Sequence, residues 1–337
     1  MRRNFGIYGK KQMQSLSSLP VVLLTLFACL FCWGLEYHIS ANYPFDTSPS
    51  PLWNRITAWL PDKRYAYPAG ALLLCGMALT LQRANYYLML FREKTGLPFL
   101  LFLLFNSTSF GYIPLRPVSP VFFLLALCMI ELFKSYQKEK AFLAPGNAYK
   151  AAFWLSVGSL VWIHLLWMLP LFWYGMYLFR VMNLRTFTAS LLGVLTMYWI
   201  VAGWCVLQHD FTALTNLVHL WTDFDFVPFR EYLQPSRLAA PATAFAYTVL
   251  LGLTFRFYPV SAGLRTRRFI SFLLVSTRYL LPFLFLSETG AADFLCLFFI
   301  PVSLLTTYLF SNTPRNLTPY YFLLLVCSLL LLTARYV

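Results

Sequence analysis

Acidic residues are scarce in this chain. Twelve Asp and Glu stand against 26 Lys and Arg in 337 residues, and charged residues of both signs make up only 11%. With 59% hydrophobic residues and a mean hydropathy of +0.64, the chain has too little polar surface for a soluble fold of its size. Nucleotide and hydrolase motifs are missing as well. There is no P-loop, no dinucleotide-binding glycine pattern, no H-E-x-x-H and no G-x-S-x-G, which argues against ATP-driven transport by this chain alone. No internal repeat or low-complexity tract occurs. The cysteines at 29, 32, 75, 128, 205, 296 and 327 all fall inside apolar stretches, where a free thiol behaves as a small hydrophobe. No disulfide framework is implied.

Long apolar runs are what the chain has instead. A helix needs about 20 apolar residues to cross lipid, and about eleven such runs occur, at residues 17–35, 67–82, 96–112, 118–133, 151–166, 169–183, 187–206, 240–256, 269–287, 293–310 and 318–334. The pattern predicts an all-α polytopic membrane protein, with residues 1–337 forming a single transmembrane domain. The first run follows Arg2, Arg3, Lys10 and Lys11 and is too long for a cleaved leader, so it reads as an uncleaved anchor. The fifth and sixth runs are short and share Pro170 near their junction. They are a tight hairpin or one long kinked helix, and length favours the hairpin.

A cytoplasmic N-terminus sorts the charges. It puts most basic residues inside, including Arg83, Lys134, Lys150, Arg180, Arg185, Arg256 and Arg265, and leaves Arg55, Lys63, Arg64, Arg116, Arg230, Arg237 and Arg335 outside. This is a positive-inside signal. It also accounts for the net charge of +14 without a nucleic-acid partner. The C-terminus then lies outside.

Acids run the other way. Glu36, Asp46, Asp62, Asp210, Asp223, Asp225, Glu231, Glu288 and Asp293 fall on the outer side, a bias the positive-inside rule does not explain. Two outer loops are long, 36–66 and 207–239. Each carries an amphipathic stretch at helical spacing, Leu52, Trp53, Ile56, Trp59 and Leu60 in one and Leu214, Leu217, Val218 and Trp221 in the other. Both are expected to lie in the outer interface with their Trp rings at headgroup depth.

Candidate chemistry follows from these placements. Glu36 and Asp46 are carboxylates at the outer surface that can act as general base toward a hydroxyl acceptor if burial or a neighbour tunes them. Arg278 lies within a span, with Pro282 one turn later. A cation there costs about 2.5 to 3.5 kcal/mol on insertion scales. It is expected to face the bundle interior or a wet cavity, either pairing with a buried acid or anchoring a phosphate through its bidentate guanidinium. Asn106, Ser107, Thr108 and Ser109 place four hydrogen-bonding groups in succession, to tie helix to helix or to line a polar groove open outward. Asp223-Phe224-Asp225 is a D-x-D with His219 on the same helical face as Asp223, a set that can hold a divalent metal against a diphosphate. Glu131 and Lys134 read as a local ion pair, and His164, between Trp162 and Trp167, reads as a packed histidine.

The stretch Ser119 to Gln208 contains Pro120-Val121-Phe122-Phe123-Leu124-Leu125-Ala126-Leu127, Ser135-Tyr136-Gln137-Lys138-Glu139-Lys140, Ala151 to Leu169 with Gly158 and His164, and Arg180 to Arg185. It resembles a Bacteroidetes family of polytopic membrane proteins, domain of unknown function 6427, and the Ile300-Pro301-Val302 span fits the same likeness. At the level of topology the chain is also similar to the C-type glycosyltransferases that use polyprenyl-phosphate sugars. Those have a cytoplasmic N-terminus, many spans, interfacial helices and an acidic catalytic residue in the first outer loop, although here Glu36 and Asp46 stand apart rather than adjacent. That likeness implies an enzyme of envelope-glycan assembly with a lipid-linked sugar as substrate and membrane lipids as surroundings. A transporter or flippase for an anionic lipid, or a non-catalytic scaffold of an envelope machine, are the rival expectations.

Overall fold

The computed structural model describes residues 19–39, 53, 63–88, 96–108, 115–136, 144–209, 215, 235–257, 263–286, 291–312 and 326. Among the described residues all regular structure is helical. The helices are α1 (Leu19–Ile39), α2 (Lys63–Leu88), α3 (Leu97–Thr108), α4 (Val118–Lys134), α5 (Ala144–Val161), α6 (Leu169–Leu178), α7 (Leu184–Gln208), α8 (Pro235–Phe257), α9 (Leu264–Leu280), the single turn α10 (Phe283–Leu286) and α11 (Ala291–Asn312), with a 3-10 segment Ile163–Met168 before α6. Two stretches, Leu184–Gln208 and Asp293–Phe310, are long and apolar enough to cross a membrane by length and composition. Of the run expected at 318–334 only Val326 is described.

Helices overrun the apolar stretches that announce them, because backbone hydrogen bonding does not stop where hydropathy falls. α2 extends past both ends of 67–82 and tolerates Pro68 in its second turn. α5 starts at Ala144, seven residues before its apolar run, since Pro145 lies in the first turn, where a missing N–H costs nothing. α7 starts at Leu184 rather than 187 because Asn183 caps it. The Asn183 side chain accepts from the Thr186 N–H at 2.8 Å while the Asn183 N–H donates to Thr186 Oγ1 at 2.9 Å, a reciprocal capping box.

The chain divides into two compact units. One contains the start of α2 and α4 to α7. Here α5 ends at Val161 because Trp162 is extended, with φ −140° and ψ 101°. The 3-10 segment then folds back so closely that a Cβ on Gly158 would collide with the Leu165 side chain. The break therefore falls at Trp162, and Pro170 sits harmlessly in the first turn of α6. Directions follow from contacts. Phe179, at the end of α6, meets Phe133 and Tyr136 at the end of α4, beside the start of α5. α7 then runs parallel to α5, since Gly193 lies against Tyr149, Ala152 and Phe153, Ser156 donates to the Val194 carbonyl at 3.0 Å, and Ser159 meets the Tyr198 hydroxyl at 2.7 Å. Residues 151–183 thus hold a reversal, the hairpin of the two alternatives.

The α5–α7 seam is built from small residues. Ala152, Ser156 and Ser159 are buried on the side of α5 that meets α7, opposite the buried Gly193. Small side chains let two backbones approach closely enough for the Ser156 bond, the packing that serves where apolar burial alone cannot drive helices together.

The other unit contains α1, α2 from Leu74, α3 and α8 to α11. Its centre is α11, buried along the whole of Asp293–Phe310, with α3, α8, α9 and α10 packed on it. Phe105 stacks on Phe299 at 5.3 Å and meets Tyr247 edge-on at 5.4 Å, and Phe283 stacks on Phe294 at 5.0 Å. Pro301 removes one hydrogen bond from the middle of α11. Nearby Ser303, Thr306 and Thr307 turn their hydroxyls onto carbonyls of the same helix, at 2.7 to 2.9 Å.

A side chain at Gly193 tests the seam. A Cβ there would stand 2.5 Å from the Tyr149 carbonyl oxygen, which cannot rotate away. Gly193→Ala is expected to cost about 1 to 3 kcal/mol, seen as a lowered Tm of the detergent-solubilised chain, whereas Gly203→Ala, with open space around it, leaves Tm unchanged or slightly raised. Equal melting of the two variants would refute the parallel α5–α7 contact.

Candidate functional site

The side chains of the acids assigned to catalysis and metal binding all fall outside the described structure. Asp46, Ser109, His219, Asp223 and Asp225 lie outside the described residues, and Glu36 sits near the end of α1 with its side chain outside them. Of the first amphipathic loop stretch only Trp53 is described, and it is fully buried in the protein. Among the described residues no three His, Cys, Asp or Glu gather as a metal site.

Asn106 and Ser107 are placed well. Both are completely buried on α3. The Asn106 amide donates to the Phe102 carbonyl at 2.9 Å, and Thr108 Oγ1 donates to Leu104 and Phe105 carbonyls. Ser107 Oγ accepts from Trp33 Nε1 at 2.9 Å, which fastens α1 to α3. Of the two uses the sequence allows, these bonds are helix-to-helix and helix-to-self. Glu131 and Lys134 form their ion pair at 2.6 Å, and the His164 ring lies edge-on to Trp162 at 5.7 Å.

Arg278 is the sequence-selected residue that lines an open space. It is exposed, not enclosed in the bundle interior as a buried pair would be. Its side chain lies in a groove between α8 and α9 of about 560 Å³, lined by Thr248, Val249, Gly252, Leu253, Phe255, Arg256, Leu274 and Arg278. Gly252 makes room for it. A Cβ on Gly252 would stand 3.4 Å from Arg278 Nη2, so the guanidinium rests where a larger residue would project. Pro282, four residues after Arg278, has no N–H for the Arg278 carbonyl and α9 ends there. Asn106 and Ser107 belong to a different part of the same unit, and no described residue lining the groove is acidic.

Two features escaped sequence reading. Arg256 reads as an ordinary cytoplasmic flank, yet it shares the groove; the i, i+4, i+8 stripe Thr248, Gly252, Arg256 on α8 could have shown that it faces the same way. Asn85 is 1% exposed, and neither its side-chain oxygen nor its nitrogen has a hydrogen-bond partner. Nothing in its local pattern distinguishes it from a polar residue at a helix end.

The chain matches no family model, no curated protein and no solved structure, so its site is read from its own chemistry.

An unsatisfied buried amide costs about 1 to 3 kcal/mol, and an apolar group of similar shape removes that cost. Asn85→Leu is therefore expected to raise the Tm in detergent. A fall in Tm would mean that Asn85 has a partner in the folded chain.

Proposed function

We propose that this chain is a multi-pass protein of a bacterial inner membrane, with about eleven spans, its N-terminus in the cytoplasm and its C-terminus outside. The outer face of α7 supports that reading. Leu192, Leu195, Trp199, Ile200, Trp204 and Leu207 are exposed on it, Trp199 to 81%, an apolar surface that water would penalise and lipid would not. Leu23, Leu24, Phe27, Leu30 and Phe31 give α1 a similar face. The 3-10 segment and α6 together rise roughly 27 Å at about 2.0 and 1.5 Å per residue, close to a hydrocarbon core of about 30 Å.

Within that membrane the chain handles a lipid-linked anionic substrate, and the reaction proposed is transfer of a sugar from a polyprenyl phosphate to an envelope acceptor. The observation that carries it is Arg278, a fixed positive charge in an apolar groove between two helices, where an anionic lipid headgroup is the natural counter-charge. In this mechanism Asp46 or Glu36 removes the acceptor hydroxyl proton as the sugar leaves the phosphate, Arg278 holds the lipid phosphate, and Asp223, Asp225 and His219 hold a divalent metal if the donor is a diphosphate. The likeness of Ser119 to Gln208 to domain of unknown function 6427 belongs to the same proposal.

Two measurements test it. Cysteine labelling at the two long loops, 36–66 and 207–239, is expected to give modification from the periplasmic side only; labelling from the cytoplasm would overturn the topology. Asp46→Ala is expected to abolish transfer from the lipid-linked donor and to change surface glycans while the protein still inserts. Unchanged glycans and lipid-linked intermediates in both Asp46→Ala and Glu36→Gln cells would sink the enzyme reading and leave the flippase and the scaffold, which differ in whether lipid crosses the bilayer.

A further inference from the structure

Arg278 has a companion. Gly252 and Arg256 are one helical turn apart on the same face of α8, and Cα–Cβ bonds on a helix tilt toward its N-terminus, so the Arg256 side chain starts toward the place where Arg278 Nη2 lies over Gly252. Both arginines are exposed into one groove. No described acid lines it to divide the charge. Thr248 cannot compete for the ligand as a donor, because its hydroxyl is given to the Ala244 carbonyl at 2.8 Å. The rest of the wall is Val249, Leu253, Phe255 and Leu274, which offers hydrocarbon contact and nothing to hydrogen-bond a sugar.

We infer that this groove is a site for a lipid phosphomonoester, with Arg256 and Arg278 clamping one phosphate and the first methylenes of its chain against Val249, Leu253 and Leu274. Two guanidiniums without an acid between them match a headgroup carrying up to two negative charges and three terminal oxygens, which a phosphodiester does not have. The assignment rests on the membrane reading above and deepens its lipid-phosphate step. A phosphomonoester lipid is what remains when a sugar leaves a lipid monophosphate, so the groove suits the spent carrier better than the loaded donor. Gly252 leaves the space over which Arg278 lies, and a bulky side chain there would push the guanidinium aside.

The test uses the full chain in nanodiscs of phosphatidylcholine containing either phosphatidic acid, a phosphomonoester, or phosphatidylglycerol, a phosphodiester, with lipid retained on the released protein counted by native mass spectrometry. Wild type is expected to retain phosphatidic acid at least about tenfold over phosphatidylglycerol, one unit of the free-energy scale on which tenfold is about 1.4 kcal/mol. Arg256→Gln and Arg278→Gln each lose most of that preference. Gly252→Leu loses it with both arginines present, and Arg83→Gln, an exposed arginine on α2, keeps it. The Tm of each variant in phosphatidylcholine alone shows that it has folded. Equal retention of the two lipids by wild type, or a loss in Arg83→Gln as large as in Arg256→Gln, overturns the site while leaving the membrane reading intact. Recovery of the chain with soluble protein instead of membranes overturns both.

Discussion

Internal satisfaction of polar groups is the constraint on which this structure depends. A backbone that cannot hydrogen-bond to water must bond within its own segment, and among the described residues every regular element is a helix. Buried hydroxyls obey the same rule, although the Asn85 amide does not. Thr248, Thr254, Ser276, Thr277, Ser303, Thr306 and Thr307 each donate to a carbonyl three or four residues back. A hydroxyl so placed costs little when buried, and it leaves the neighbouring helix free to pack by shape. α11 shows the result, with four hydroxyl or proline interruptions in a segment that is buried throughout.

With hydrogen bonds spent inside helices, association between them must come from fit and from a few crossing bonds. The α5–α7 seam uses both. Gly193 and Ala152 bring the backbones together, and Ser156 and Ser159 then reach the other helix. Around α11 the larger gaps are filled by aromatic rings, Phe105 between Phe299 and Tyr247 and Phe283 on Phe294. The single indole bond from Trp33 to Ser107 fixes α1 to α3 while α1 keeps an apolar outer face.

How much of this was readable in the sequence depends on the range of the interaction. Helix type was readable, because hydropathy and the absence of charge are properties of consecutive residues. Helix ends were less so: the Asn183–Thr186 capping box is a local signal outside the apolar run, and nothing in the residues around Trp162 marks it as the extended position where α5 ends. The Glu131–Lys134 pair was readable as an i, i+3 contact. Arg278 could be singled out as a charge in an apolar run, but its neighbours are on another helix, and no periodicity in one helix tells which residue of a second lies opposite. That is why Arg256 looked like a flank. Asn106 and Ser107 allowed two readings for the same reason, since only the position of Trp33 decides that Ser107 faces a helix.

The groove also shows how a helical protein can keep a charge without burying it. Placed in the centre of the unit, Arg278 would need a carboxylate, and a buried pair gains little once its desolvation is counted. Placed on the outer surface opposite a small residue, it keeps its guanidinium exposed and avoids that desolvation. Gly252 is what makes this arrangement possible, because it lowers the surface of α8 by one side chain where Arg278 lies. A structural arginine would be served as well by any acid within reach. An arginine laid over a glycine beside a second arginine, with apolar walls and no described acid, is the arrangement on which the proposed lipid-phosphate site rests, because no group lining the groove already answers the charge.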